Sequence, residues 1–224
     1  MSLRRAPSAP EPTALPIAPA YLQRFIVDAH MIVAEGYSSL DPATLTSKKE
    51  PDISGLIVKN SRGWLDDPRS PGWARCYFVT EEKHEDDSAL QGMRRPRIDI
   101  HIESSELRPR PRFVFEAKRL YRSDSVAEYV GKKGLGALCD GTYAGDAQAA
   151  GMLGYVQEGT VDESARQVKG KLERERSAHG LTSKGTVWTE REIDVRLGTT
   201  RLSKHTRAGR APIAIYHSFL KCCA

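Results

Sequence analysis

Apolar residues near the start of the chain recur at helical spacing. One such segment runs from Tyr21 to Glu35, and its apolar stripe consists of Leu22, Phe25, Ile26, Ala29 and Val33. Gly36 follows directly and is expected to end this helix as a C-terminal cap. A second helix is predicted to begin near Glu50, because Pro51 suits a first-turn position and the apolar residues after it keep helical spacing.

Alternation of polar and apolar residues predicts two strands in the middle of the chain. In the segment from Arg97 to Glu103 every second residue is isoleucine, so the opposite face carries Arg97, Asp99, His101 and Glu103. The segment from Phe113 to Leu120 is more apolar and places Glu116 and Lys118 together on one face. Only a short proline-bounded connection separates these segments, and we therefore expect them to be neighbouring strands.

The remaining periodicity indicates further helices and strands. Two more helices are predicted, one interrupted by glycines over 125–138 and one over 162–178, while 148–156 fits either a buried helix or a buried strand. Strands are predicted over 75–80, 187–189 and 214–220, and the charged run 81–87 is expected to be a solvated hairpin or loop. Interleaved helices and strands favour an α/β fold (α+β mixed sheet), with a mixed β-sheet flanked by helices.

Composition divides the chain into an arm and a domain. Residues 1–20 hold five prolines among alanines and serines, which predicts a flexible arm, and 21–224 is expected to be a single domain. No apolar run reaches membrane-spanning length and no apolar signal core follows the basic start, so a cytoplasmic protein without membrane contact is expected. The four cysteines lack metal-site spacing, and the net charge of +5 is compatible with a polyanionic partner.

Candidate chemistry centres on the second of the two central strands. Period-2 geometry puts Glu116 and Lys118 on one face about 7 Å apart, where they are either a structural ion pair or part of a catalytic site. Asp99 favours the second reading, because two carboxylates on neighbouring strands can converge on Mg²⁺ or Mn²⁺. A phosphodiesterase site would then use Lys118 to stabilise charge near the scissile phosphate.

Asp99, followed after a gap by Glu116-Ala117-Lys118 in an apolar strand, resembles the signature of the PD-(D/E)XK, or restriction endonuclease-like, nuclease superfamily. The resemblance departs from the usual pattern at Ile98, where the family commonly has proline. It implies a central mixed β-sheet flanked by helices and a metal-dependent endonuclease that cuts DNA in restriction, repair or phage defence. It also implies a third metal-binding acid from an early helix, for which Glu50 is the best match and Glu35 and Asp52 are alternatives.

Arginines crowd around the candidate site along the sequence. Four of them, Arg95, Arg97, Arg119 and Arg122, are candidates for nucleic-acid binding, although such residues also serve solubility. The glycine-rich run 131–136 is expected to be a flexible connection or a loop that contacts backbone phosphate, and 204–210 holds a second basic group. His101 is expected to have a minor role at most.

Two other readings of the same residues stay open. The chain could be a catalytically inactive nucleic-acid-binding or interaction module on the same fold, or a structural subunit in which the acids and Lys118 form a buried ion network. If the chain is a nuclease, the resemblance also suggests a homodimer or a subunit of a defence or repair complex.

Overall fold

The computed structural model describes residues 18–84, 97–122, 124–182 and 185–224. Two long helices come first, α1 (Pro19–Ser38) and α2 (Glu50–Leu65). Strands β1 (Tyr77–His84), β2 (Arg97–Ser104) and β3 (Arg112–Leu120) follow. After them come short helices α3 (Ser125–Val130) and α4 (Leu135–Cys139), strand β4 (Ala149–Val156) and helix α5 (Val161–Arg174). The chain ends in β5 (Thr189–Arg191), β6 (Thr200–Arg207) and β7 (Arg210–Lys221).

The seven strands form one mixed sheet in the order β1-β2-β3-β4-β7-β6-β5. The central pairs β3·β4 and β4·β7 are parallel, and the outer pairs are antiparallel. Every residue of β4 is buried, as expected for a central strand covered on both faces. The predicted α/β class with a mixed sheet and flanking helices is therefore confirmed, and the ambiguous segment 148–156 is a strand.

Helices cover both faces of the sheet. On one face α1 and α2 pack against Ile100, Ile102, Phe113 and Phe115. On the other, α3, α4 and α5 pack against a set that includes Val114, Met152, Ile215 and Phe219. The period-2 pattern of β3 sends its residues alternately into these two layers, so Glu116 and Lys118 lie on the face of α3 to α5.

Gly36 corrects the expected end of the first helix. It lies inside α1, which continues to Ser38, and is buried. A Cβ added there would come within 2.3 Å of the Ile57 carbonyl oxygen and of Ser61 Oγ. The lack of a side chain at Gly36 therefore allows α1 and α2 to pack closely. At the same contact Ser61 of α2 donates a 2.8 Å hydrogen bond to the Ile32 carbonyl of α1.

Two predicted strands, 75–80 and 187–189, have different limits in the structure. Residues 72–76 form a 3-10 turn, and β1 begins only at Tyr77 and continues through the charged residues to His84. The prediction for 187–189 was wrong in part, because Val187 and Trp188 are buried core residues and only Thr189 belongs to β5.

Strand β6 was not predicted, because its buried side chains are mostly polar. His205 Nδ1 lies 2.7 Å from the carbonyl oxygen of His179, which can only accept, so that nitrogen carries a hydrogen. Its Nε2 then accepts from Ser203 Oγ at 2.7 Å, and His217 Nε2 donates to the same oxygen at 2.8 Å. Tyr129 OH donates to the remaining His217 nitrogen at 3.0 Å. These hydrogen bonds connect α3 to β7 and β6. They leave no apolar periodicity in the sequence of β6 from which a strand could be predicted.

Within the described part of the chain, no helix combines the length and apolar content that crossing a bilayer requires.

Candidate active site

The candidate site lies where β2 and β3 part. Their paired residues run from Glu103↔Arg112 to Ile100↔Phe115. Alternate N–H groups of a strand point to the same edge, and those of Ala117 and Arg119 find side chains there. The Ala117 N–H donates to Asp99 Oδ2 at 2.7 Å, and the Arg119 N–H donates to Glu50 Oε2 at 3.2 Å. The Asp99 and Glu50 carboxylates thus accept the N–H groups of β3 where β2 no longer pairs with it, and these hydrogen bonds hold both side chains in place.

Lys118 joins the acids from its position on β3. Its ammonium donates to Glu116 Oε1 at 2.7 Å, to Glu50 Oε1 at 3.0 Å and to the Ala117 carbonyl at 2.6 Å. Three acceptors match the three N–H donors of a lysine ammonium. The predicted adjacency of the two strands is confirmed, and Glu50 at the start of α2 lies with Glu116 and Lys118.

Glu116 is the most deeply placed of the three acids. Its side chain is 5% exposed, and its Oε2 has no hydrogen-bond partner among the described residues. Burial and the nearby Asp99 carboxylate raise the pKa of Glu116 well above its ordinary value, although Lys118 acts in the opposite direction. A carboxylate oxygen in such a position is costly to bury unless a cation compensates it.

The charges of the site do not balance. Burial by itself would lower the pKa of Lys118, but Glu116, Glu50 and Asp99 together raise it, so the ammonium stays charged. Three carboxylates around one ammonium carry an excess negative charge of two when all are ionised. Across the described residues, no group of three or more His, Cys, Asp or Glu side chains is arranged to hold a metal ion. In the site itself the Lys118 ammonium, bonded to both Glu50 and Glu116, stands between these two acids.

An open cleft of about 720 Å³ leads to the site. Glu50 and Lys118 form part of its wall. Its other charged lining residues are Lys49, Arg119, Glu128, Lys132 and Lys133. The wall therefore carries mostly positive side chains around an acidic centre, which is an arrangement that suits a phosphate group.

The predicted nucleic-acid-binding arginines fall into three situations. Arg119 lines the cleft, and its guanidinium lies 4.7 Å from the ring centre of Tyr121. Arg122 is exposed and lies 4.7 Å from the same ring. Arg97 is exposed at the start of β2, and Arg95 lies outside the described residues.

The alternative acids have other roles. Glu35 forms an ion pair with Arg196, and Asp52 accepts a 3.2 Å hydrogen bond from the Lys49 backbone N–H at the start of α2. His101 is buried on β2 with Nε2 3.7 Å from Glu103 Oε1. Glu50 is thus the early-helix acid that reaches the site.

Tyr143 is a neighbour of the site that the sequence did not reveal. Burial, and then the charges of Glu116, Lys118, Asp99 and Glu50, act on its hydroxyl, and the pKa of Tyr143 is raised to about 12. The residue lies in an irregular segment between α4 and β4 and no recognisable motif surrounds it, so only the fold brings it near the acids.

The second basic group is not a surface patch. Arg207 is 6% exposed, and its guanidinium donates to the carbonyls of Ala144, Ala147 and Ala211 at 2.8 to 3.2 Å. Only Lys204 and Arg210 of that group are exposed. The second basic group therefore consists of a buried structural arginine, Arg207, and two exposed neighbours.

In comparisons with known proteins, no family model, no curated protein and no solved structure matches this chain.

Proposed function

We propose that this chain is a metal-dependent nuclease with a restriction endonuclease-like fold, which hydrolyses phosphodiester bonds in DNA. The observation that carries the proposal is the convergence of Glu50, Asp99, Glu116 and Lys118, two of which, Glu50 and Lys118, line a cleft with mostly basic walls. A mixed sheet with helices on both faces, and acids from two adjacent antiparallel strands, support the choice of fold.

The donor set suits Mg²⁺ or Mn²⁺. Asp99, Glu116 and Glu50 offer only carboxylate oxygens, which these hard cations prefer, and the buried Glu116 Oε2 has no partner among the described residues. When bound, such a cation polarises a phosphate and lowers the pKa of a coordinated water. The three acids would hold it, and Lys118, released from Glu50 or Glu116, would stabilise negative charge on the phosphate.

The test is cleavage of supercoiled plasmid, linear duplex and single-stranded DNA with Mg²⁺, with Mn²⁺ and with chelator. We expect metal-dependent cleavage by the wild type. Asp99→Asn, Glu116→Gln and Lys118→Met should each reduce it at least a hundredfold, because each removes charge at the reacting phosphate. Glu173→Gln is the matched control, since Glu173 is exposed on α5, and it should cleave normally.

One observation favours an inactive module instead. All three N–H donors of Lys118 are used inside the chain, as in a structural ion network. DNA binding without cleavage under every metal condition would support that alternative and contradict the nuclease proposal.

A further inference from the structure

The connection between α3 and α4 is a tight turn made possible by three glycines. The N–H groups of Gly134 and Gly136 both donate to the Gly131 carbonyl, at 3.0 and 2.9 Å. A Cβ on Gly131 would lie 2.6 Å from the Ala127 carbonyl oxygen, and one on Gly134 would lie 2.3 Å from that of Tyr129. Since real side chains do not fit at such distances, the backbone path requires glycine at these positions.

The turn presents two lysines to the cleft. Lys132 and Lys133 are both exposed, and both line the cleft together with Glu50 and Lys118. No ion pair joins either lysine to another described residue, in contrast to Lys118. Their charges are therefore available to a ligand in the cleft.

The turn is also anchored at its base. Tyr129, two residues before Gly131, is fully buried, and its hydroxyl bonds to His217 of β7 at 3.0 Å. Val130 and Leu135 on either side of the turn are fully buried as well. The two lysines thus extend from a backbone that is packed on the sheet, and not from a free loop.

We propose that the 131–136 turn is a phosphate clamp, in which Lys132 and Lys133 hold the backbone of a nucleic-acid strand in the cleft. The inference rests on the proposed nuclease function and adds a binding site outside the acids. A polymeric phosphate fits better than a small free anion, because the cleft also contains Glu50 and Glu128, which repel a mobile anion. In a strand, one phosphate can contact the lysines while its neighbour lies at the acids.

The experiment measures DNA binding apart from cleavage. Fluorescence anisotropy of a labelled duplex and a labelled single strand is recorded in chelator over a range of salt concentrations. For the Lys132→Gln/Lys133→Gln variant we expect affinity at about 0.1 M salt to fall tenfold or more, and the slope of log Kd against log salt to decrease by about one to two. The Lys59→Gln/Lys221→Gln variant loses the same charge from exposed sites outside the cleft and should bind like the wild type.

The Gly134→Ala variant distinguishes an effect of the turn's backbone geometry on DNA binding from an effect of net charge. It keeps both lysines but forces the backbone away from Tyr129, so we expect weaker binding with an unchanged net charge. A folded Gly134→Ala protein with wild-type affinity would contradict the clamp. So would equal losses in the two double-lysine variants.

Wild-type cleavage in Mg²⁺ and Mn²⁺ is measured in parallel. If the wild type cleaves DNA but the Lys132→Gln/Lys133→Gln variant binds normally, the clamp is wrong and the nuclease proposal stands. If the wild type neither binds nor cleaves DNA, both are wrong. Displacement of DNA by equimolar inorganic phosphate would also contradict a site built for a polymer.

Discussion

Replacing Lys118 with methionine tests whether its ammonium stands in for a metal ion. Methionine keeps most of the length of the side chain but removes the charge that compensates Glu116. The Lys118 side chain is 11% exposed and that of Glu116 is 5% exposed, so little solvent screening reduces the effect. Removing one partner of a buried ion pair costs about 3 to 5 kcal/mol. For a chain of this size that corresponds to a decrease in Tm of roughly 10 °C.

A divalent cation should reverse this loss in the variant. If the carboxylates bind Mn²⁺, the ion no longer competes with the ammonium, and at a hundred times its Kd it stabilises the folded state by about 2.7 kcal/mol. We therefore expect Mn²⁺ to raise the Tm of Lys118→Met by several degrees, and by more than it raises the Tm of the wild type. We expect metal affinity to rise in this variant and cleavage to be lost.

The assay is thermal unfolding by calorimetry, in chelator and in millimolar Mn²⁺. Lys171→Met is the control, because Lys171 Nζ lies 2.6 Å from Glu175 Oε1 in a partly exposed pair at the C-terminal end of α5. Such pairs contribute less than about 1 kcal/mol, and Mn²⁺ should not affect that variant. An equal Mn²⁺ effect in Lys118→Met and the wild type would refute the competition between ammonium and metal. A Tm loss no larger than that of the control would refute the estimate from burial.

Four further substitutions test the fold. Gly36→Ala should destabilise the protein by about 1 to 3 kcal/mol in urea unfolding, because its Cβ meets α2. Gly63→Ala, which has nothing within 4 Å, should instead stabilise α2 by up to about 1 kcal/mol. Burial lowers the pKa of His205 from 6.5 to about 4, so between these values the unfolded chain takes up a proton that the folded chain does not. Stability should be full above pH 6.5 and fall as the pH drops towards 4, and His205→Gln should make this dependence shallower by about 1.4 kcal/mol per pH unit. Tyr129→Phe should cost about 1 to 3 kcal/mol in the same assay, since the buried His217 Nδ1 loses its hydrogen-bond partner; an unchanged stability would contradict a stabilising role for this hydrogen bond.

Local periodicity predicted the part of the site that lies within strands. Alternation in β2 and β3 placed Glu116 and Lys118 on one face and suggested a neighbouring Asp99, because side-chain direction in a strand depends only on residue parity. The structure adds that β2 separates from β3 beyond Ile100, which is why Asp99 bonds to the Ala117 N–H through its side chain. The spacing of residues along the sequence does not predict where two paired strands separate.

Long-range placement is what the sequence did not contain. Glu50 was the best match for the early-helix acid only through the family resemblance, with Glu35 and Asp52 as alternatives, and it is the packing of α2 beside β3 that brings Glu50 to the site. Strand β6 was missed because hydrogen bonds, rather than apolar contacts, satisfy its buried side chains. Tyr143 likewise approaches the acids through the fold alone.

A purely structural role accounts for only part of the acidic cluster. Asp99 and Glu50 accept the backbone N–H groups at the unpaired edge of β3. The Lys118 ammonium already donates to Glu50 and to the Ala117 carbonyl, so any one further acceptor would use its third N–H donor. Glu116 goes further, because it buries a second carboxylate oxygen without a described partner beside two other acids. Burying charge of one sign lowers stability unless something compensates it, and residues that reduce stability in this way cluster at functional sites. The cation binding that we propose would account for that cost, whereas an ion network that serves only stability would not.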